Sequence, residues 1–108
     1  MTEQVLRKLF LGFIHIHILY HAKNEPLYGS WMLQELKEHG YQISPGTLYP
    51  ILHGMEKNGL LQKTEMLVDG KIRKYYAITT AGEAVLIEAK QKAYELFTEI
   101  KDNKRGQN

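Results

Sequence analysis

Residues 44–78 run SPGTLYPILHGMEKNGLLQKTEMLVDGKIRKYYAI: a helical pattern that stops at Asn58-Gly59, then two extended runs parted by Asp69-Gly70. Asp-Gly between alternating runs favours a two-residue hairpin turn, because both positions tolerate positive φ. The predicted strands are Leu61–Val68 and Lys71–Ile78. This register sets Leu67 opposite Ile72, Met66 opposite Arg73 and Glu65 opposite Lys74, the last a pairing of opposite charges. The start of the helix is open to two readings. Thr47 caps it and Pro50 lies in the first turn, where a missing N–H costs nothing; or Ser44 caps it, Pro45 takes the first position, and Pro50 distorts the second turn.

Working outward, a second helix is predicted from Gly29 or Ser30 to His39, with Gly40 at its stop. Tyr41 to Ser44 alternates and suggests a short strand. Before these, residues 3–23 form a long helix that breaks at Asn24-Glu25-Pro26. Leu9, Phe10, Phe13 and His17 recur at helical spacing, but Leu11, Ile16, Ile18 and Leu19 make it apolar nearly all round. A single chain of this size can hardly cover such a helix on every face, so burial against a second chain is expected. The last helix begins at Thr79 or Thr80, and the spacing of Thr80 and Glu83 favours Thr80 as the cap. Leu86, Ala89, Ala93, Leu96 and Ile100 follow at steps of 3, 4, 3 and 4, a short heptad seam, and Glu88 and Lys92 form a supporting pair.

Helix, helix, helix, hairpin, helix is a mainly α fold with a small β-hairpin. It reads as a winged helix-turn-helix over about residues 24–80 within a single domain of residues 1–108. The helices at about 3–23 and 80–101 are left for dimerisation, and the polar residues 102–108 read as a flexible tail. The chain has 108 residues, a formal net charge of +2 and no cysteine. That excludes a disulfide scaffold, a thiol nucleophile and thiolate metal sites, and suits a reducing, cytoplasmic setting. Val5–Ala22, the most apolar stretch, is interrupted by Arg7, Lys8, His15, His17 and His21 and is too polar to span a bilayer. A net charge of +2 is a weak footprint for a nucleic-acid binder, so any such function needs the charge arranged. It is: Leu61–Ile78 carries Lys63, Lys71, Arg73 and Lys74 against Glu65 and Asp69.

Nucleic-acid recognition needs phosphate contacts that position and groove contacts that read. The first turn of the third helix offers free N–H groups near Ser44, Gly46 and Thr47, with Tyr49 and His53 further along the helix. The plainer alternative is that Ser44 or Thr47 only caps the helix and Tyr49 packs on the domain. On the hairpin, Arg73 ranks first for its planar fork, then Lys71 and Lys74, although Lys74 has Glu65 as a competing partner. Tyr75, Tyr76 and Trp31 are assigned to packing. His17 and His21, four apart with His15 nearby, have a spacing zinc can use. With no third ligand or carboxylate evident, no metal site is assigned and helix-interface histidines are expected instead. No catalytic constellation or cofactor motif is present, so the chain does not read as an enzyme.

These residues resemble the PadR family of winged-helix transcription regulators over roughly Leu6 to Ile100. The resemblance is carried by Pro26-Leu27-Tyr28-Gly29, by Ile43-Ser44-Pro45-Gly46-Thr47-Leu48-Tyr49-Pro50 with Leu52, and by Met55-Glu56-Lys57-Asn58-Gly59-Leu60-Leu61. Arg73-Lys74-Tyr75-Tyr76 and Thr79-Thr80-Ala81-Gly82 complete it. It implies a homodimeric repressor on double-stranded DNA, with the third helix in the major groove, the wing on the backbone or minor groove, and pairing through the first and last helices. It also implies a small aromatic effector near the dimer interface. Two positions depart from the family pattern: Gly54 stands where a basic residue is common, and Ala93, with Tyr94 beside it, where a multidrug-responsive member stacks ligands on tryptophan. The expectation is a regulator on an inverted-repeat operator; the alternative is a winged-helix protein-interaction module without DNA binding.

Overall fold

The structure, a computed structural model, describes residues 2–101; the expected tail at 102–108 lies outside the described residues. Helix α1 spans Thr2–Asn24, strand β1 Leu27–Tyr28, α2 Gly29–Glu38, α3 Pro45–Lys57, β2 Leu61–Val68, β3 Lys71–Ile78 and α4 Thr80–Lys101. The three strands form an antiparallel sheet in the order β1-β3-β2. The hairpin register is the expected one, with Leu67 on Ile72, Met66 on Arg73 and Glu65 on Lys74. Asp69 and Gly70 both have positive φ, as the two-residue turn requires.

Helices α2 and α3 end in the same way. The amide of Tyr41 bonds the carbonyl of Leu36 while Gly40 bonds Lys37, and Leu60 bonds Met55 while Gly59 bonds Glu56. Each pair is the double closure of a left-handed glycine cap, and Gly40 and Gly59 have φ of +90° and +78°. That closure consumes the amide of Tyr41, so residues 41–44 turn into α3 instead of forming the expected strand. The third strand is instead β1, where Leu27 and Tyr28 pair with Tyr76 and Tyr75. Pro26 disfavours helical backbone at Glu25, so α1 ends at Asn24, ahead of this strand.

Helix α3 starts at Pro45 with Ser44 as its extended N-cap residue and Pro50 inside the helix, the second of the two readings. At the start of α4 the cap is Thr79, not Thr80: the Gly82 amide donates to Thr79 Oγ1 at 3.0 Å and the Glu83 amide to the Thr79 carbonyl. Thr79 Oγ1 in turn donates to the Gly59 carbonyl, fastening α4 to the end of α3. Gly82 sits so close that a Cβ there would collide with the Leu60 carbonyl oxygen.

The core gathers Ile14, Ile18, Leu19 and Ala22 of α1, Met32 and Leu36 of α2, and Leu48, Leu52 and Met55 of α3. Leu27, Ile43, Leu61, Tyr76 and Leu86 close it. Trp31, expected in the core, lies at the surface, edge-on to His21; on α2 it falls next to the buried Met32 but on the side that faces α1's histidines. The described residues extend 63 × 30 × 22 Å with a radius of gyration of 16.2 Å, against about 13 Å for a compact domain of this length. Large apolar residues stay exposed along the N-terminal half of α1 and the C-terminal half of α4.

Candidate nucleic-acid interface

The pattern of α3 divides it into two faces. Leu48, Leu52 and Met55 are buried, while Gly46, Tyr49, Pro50, His53 and Lys57 are exposed at the spacing of one helical face. At its N-terminus Ser44 makes no side-chain cap bond to the backbone; its hydroxyl lies 3.4 Å from Thr47 Oγ1. The Ser44 hydroxyl donates to Thr47 Oγ1, so the Thr47 hydroxyl keeps its proton for an external acceptor, beside the positive end of the helix dipole. Only the Ser44 hydroxyl comes within 4 Å of a Cβ built at Gly46, so a phosphate can approach this turn closely. The Tyr49 ring lies over Gly29, where a Cβ would collide with it. Packing and exposure therefore coexist at Tyr49, which is 38% exposed.

The hairpin rises beside this face. Tyr28, Gly29, Ser30, Tyr49 and His53 line a cleft of about 700 Å³ together with Asp69, Lys71, Ile72, Arg73 and Lys74 of the wing. Arg73 is held in place: its guanidinium stacks 4.1 Å from the centre of the Tyr28 ring and donates to the Tyr75 hydroxyl at 3.5 Å. Tyr28 and Tyr75 meet edge to face across β1 and β3. That brace leaves the planar fork charged and restricts its rotamers, which lowers the entropy lost when it binds an anion. Lys74 stands opposite Glu65 in register, yet the ion pairs among the described residues lie elsewhere, at Glu35. Tyr76 is buried and Tyr75 half-buried, in keeping with packing roles. A feature that sequence reasoning missed is the apolar wing tip: Leu67 and Ile72, cross-strand partners, are 74% and 67% exposed. The hairpin register carried that signal, since it pairs two apolar residues beyond the reach of the core.

Of the residues expected at a dimer interface, Leu9, Phe10, Phe13, Ala93, Leu96 and Ile100 are exposed, Ala89 and His17 are half-buried, and Leu86 is taken up by its own chain's core. A second cleft, of about 600 Å³, lies between the first half of α1 and the α2–α3 turn, lined by Leu6, Phe10, Phe13, Ile14, Tyr41 and Thr47 among others. Histidines are not spread along α1 alone. His17 and His21 meet His39 and Glu35 at the end of α2, and burial pushes the pKa of both His17 and His21 down. His15 lies apart from them, its Nδ1 bonded to the Leu11 carbonyl at 2.6 Å.

A helix pair followed by a wing, with one exposed helix face and a basic hairpin on a common cleft, defines a winged-helix regulator of transcription. Residues 18–88 match the model of the "Transcriptional regulator PadR-like family". Transcriptional regulator Rv3488 of Mycobacterium tuberculosis is 43% identical over 95 residues, covering 88% of this chain and 89% of that protein. A PadR family transcriptional regulator from Eggerthella lenta superposes with a TM-score of 0.80 at 30% identity, over 93% of this chain and 88% of its own. A PadR-like transcriptional regulator from Bacillus cereus gives 0.79 at 33% identity, over 87% and 93%. The chain belongs to the PadR-like family of transcriptional regulators, and it is a regulator, not an enzyme. No helix among the described residues is long and apolar enough to cross a membrane.

Proposed function

We propose that the chain is a sequence-specific repressor that binds an inverted-repeat DNA operator as a homodimer. The observation that carries this reading is the cleft that Tyr49 and His53 of α3 share with Lys71, Arg73 and Lys74 of the wing. Ser44, Gly46, Thr47, Tyr49 and His53 face the major groove. Lys71, Arg73 and Lys74 take phosphates or the minor groove, and the apolar wing tip rests on the sugar edges. The winged unit covers about residues 24–80. The helices at 3–23 and 80–101 pair two copies so that the third helices read half-sites about 10 base pairs apart. Leu9, Phe10 and Phe13 on α1, and Ala89, Ala93, Leu96 and Ile100 on α4, supply the pairing surface; His17 lies at its inner edge.

Relief by a small aromatic effector suits the second cleft. It is walled by Phe10, Phe13 and Tyr41, with Phe10 edge-on to Tyr41 at 6.1 Å, and Thr47 of α3 forms part of it. A ligand there touches both a pairing helix and the first turn of the reading helix, and it does not need a stacking tryptophan at Ala93.

Binding to genomic duplexes across a salt series tests this function. Log affinity is expected to fall steeply with log salt, and Arg73→Ala to flatten that slope by about one unit. Absence of duplex binding at low salt, with a protein partner recovered in its place, would favour a protein-interaction module.

A further inference from the structure

We propose that His17, His21, His39 and Glu35 form a binding site for a divalent transition-metal ion of the zinc class, pinning α1 to the end of α2. The nitrogen donors of the three histidines all lie within 4.8 Å of one another. They come from two elements: His17 and His21 are one turn apart on α1, and Glu35 and His39 one turn apart where α2 ends. Glu35 faces this group with a single oxygen, Oε2, at 3.0 Å from His39 Nε2 and 3.5 Å from His21 Nε2. The three histidines converge and Glu35 approaches two of them, His21 and His39, without a competing cation, since the ion pairs of Glu35 among the described residues are to these histidines and to no lysine or arginine.

The geometry lies close to what zinc demands. Bonds of about 2.0–2.1 Å in a tetrahedron place neighbouring donors roughly 3.3–3.4 Å apart. The three histidine nitrogens therefore need to close by about 1.5 Å at most, a distance within the reach of side-chain rotation. The surroundings support the rings in that arrangement. Tyr41 packs edge-on to His17, and Tyr20 and Trp31 edge-on to His21, so the two α1 histidines are walled by aromatic rings. His17 and His21 are half-buried, and burial favours their neutral, ligating form. Three imidazoles and one carboxylate with no thiolate select zinc and its borderline neighbours cobalt and nickel over softer ions. Where spacing along α1 offers two ligands, the fold brings two more from residues 35 and 39.

The site joins α1 to the helix-turn-helix unit, so an ion there ties the pairing helix to the reading unit. That consequence rests on the proposed function, whereas the site itself does not. The test is therefore made on the purified full chain without DNA. Zinc is titrated against a chromogenic chelator, and cobalt absorption reports coordination number. The expected result is one ion per chain, a four-coordinate cobalt spectrum, and at least a hundredfold weaker zinc binding in His39→Gln and in His17→Gln. Glu35→Gln is expected to weaken binding tenfold to a hundredfold. His39 is exposed, so His39→Gln leaves folding intact by circular dichroism. Zinc held equally by the wild type and by the His17→Gln/His39→Gln double variant would overturn the proposal, because binding would then lie at His15, His53 or elsewhere. A six-coordinate cobalt spectrum in the wild type would overturn it too.

Discussion

The two halves of α1 are built from the same kinds of side chain and meet opposite fates. Ile14, Ile18, Leu19 and Ala22 in the C-terminal half are at most 4% exposed, packed against α2, the sheet and α4. Leu6, Leu9, Phe10 and Phe13 in the N-terminal half are 39–44% exposed. Helix α4 shows the mirror image: Gly82 and Leu86 are buried at its start, and Tyr94, Leu96, Phe97 and Ile100 are open toward its end. Hydrophobicity alone therefore does not decide burial; what lies opposite does. In the winged unit the opposing surface is supplied by the same chain. Along the exposed halves it is incomplete, and an exposed run of large apolar residues on two helices is the mark of a partner surface. On the proposed reading the partner is a second copy, which presents the same surface about a two-fold axis.

The comparison breaks most sharply at Leu96. Leu96→Glu places a carboxylate in the proposed seam, and by symmetry it does so twice. Desolvating two unpaired charges costs several kcal/mol, so the dimer dissociation constant is expected to rise roughly a thousandfold or more. Sedimentation at micromolar concentration should then show monomers that keep their helix content, because Leu96 contributes nothing to the buried core of its own chain. A variant that stays dimeric would remove α4 from the pairing surface.

The opposite behaviour is expected inside the winged unit. Leu52 is fully buried on α3, and Leu52→Ala should cost about 2–5 kcal/mol of stability through lost contacts and the cavity left behind. Leu96→Ala, measured by denaturation of the same chain under conditions where it is monomeric, should cost less than about 0.5 kcal/mol. Equal losses at the two sites would mean that the exposed end of α4 packs on its own chain in solution.

This division also explains what could be read from residues alone. The hairpin register was legible because Asp69-Gly70 admits few turn geometries, and the turn fixes which residues face each other. The helix stops at Gly40 and Gly59 were legible for the same local reason. What depends on distant partners was not. Strand β1 is two residues long and exists only because Tyr75 and Tyr76, some 48 positions on, offer it an edge. Trp31 looks like a core residue until the histidines of α1 are placed against it. Thr79 outranks Thr80 as a cap because its hydroxyl also reaches the Gly59 carbonyl, a contact no capping pattern contains. In the candidate site, the residue types on α3 and the wing were visible, but their convergence on one cleft and the brace of Tyr28 and Tyr75 on Arg73 are products of the fold. Glu35 and His39 belong to the same class: ordinary helix-surface residues until α1 lies beside them.

The smallest effect sharpens the comparison at its functional end. Gly54 stands at the edge of the exposed α3 face where the family commonly carries a basic residue, and a Cβ added there meets nothing within 4 Å. A Cβ at position 54 therefore fits without displacement, and removing a glycine from a helix interior should itself add about 0.5–1 kcal/mol of stability. If α3 lies in the major groove, the guanidinium of Gly54→Arg reaches a phosphate. Affinity at low salt should then rise about fivefold, and the salt slope should steepen by about one unit. Gly54→Ala separates the two contributions, since it carries the helix stabilisation without the charge and should leave the slope unchanged. Thr98→Arg adds the same charge on an exposed position of α4. Slope counts the phosphates that are neutralised by contact, so a charge far from the duplex should barely move it. Should Thr98→Arg steepen the slope as much as Gly54→Arg, general charge would explain the gain, and the wing, not the exposed face of α3, would carry the contact with DNA.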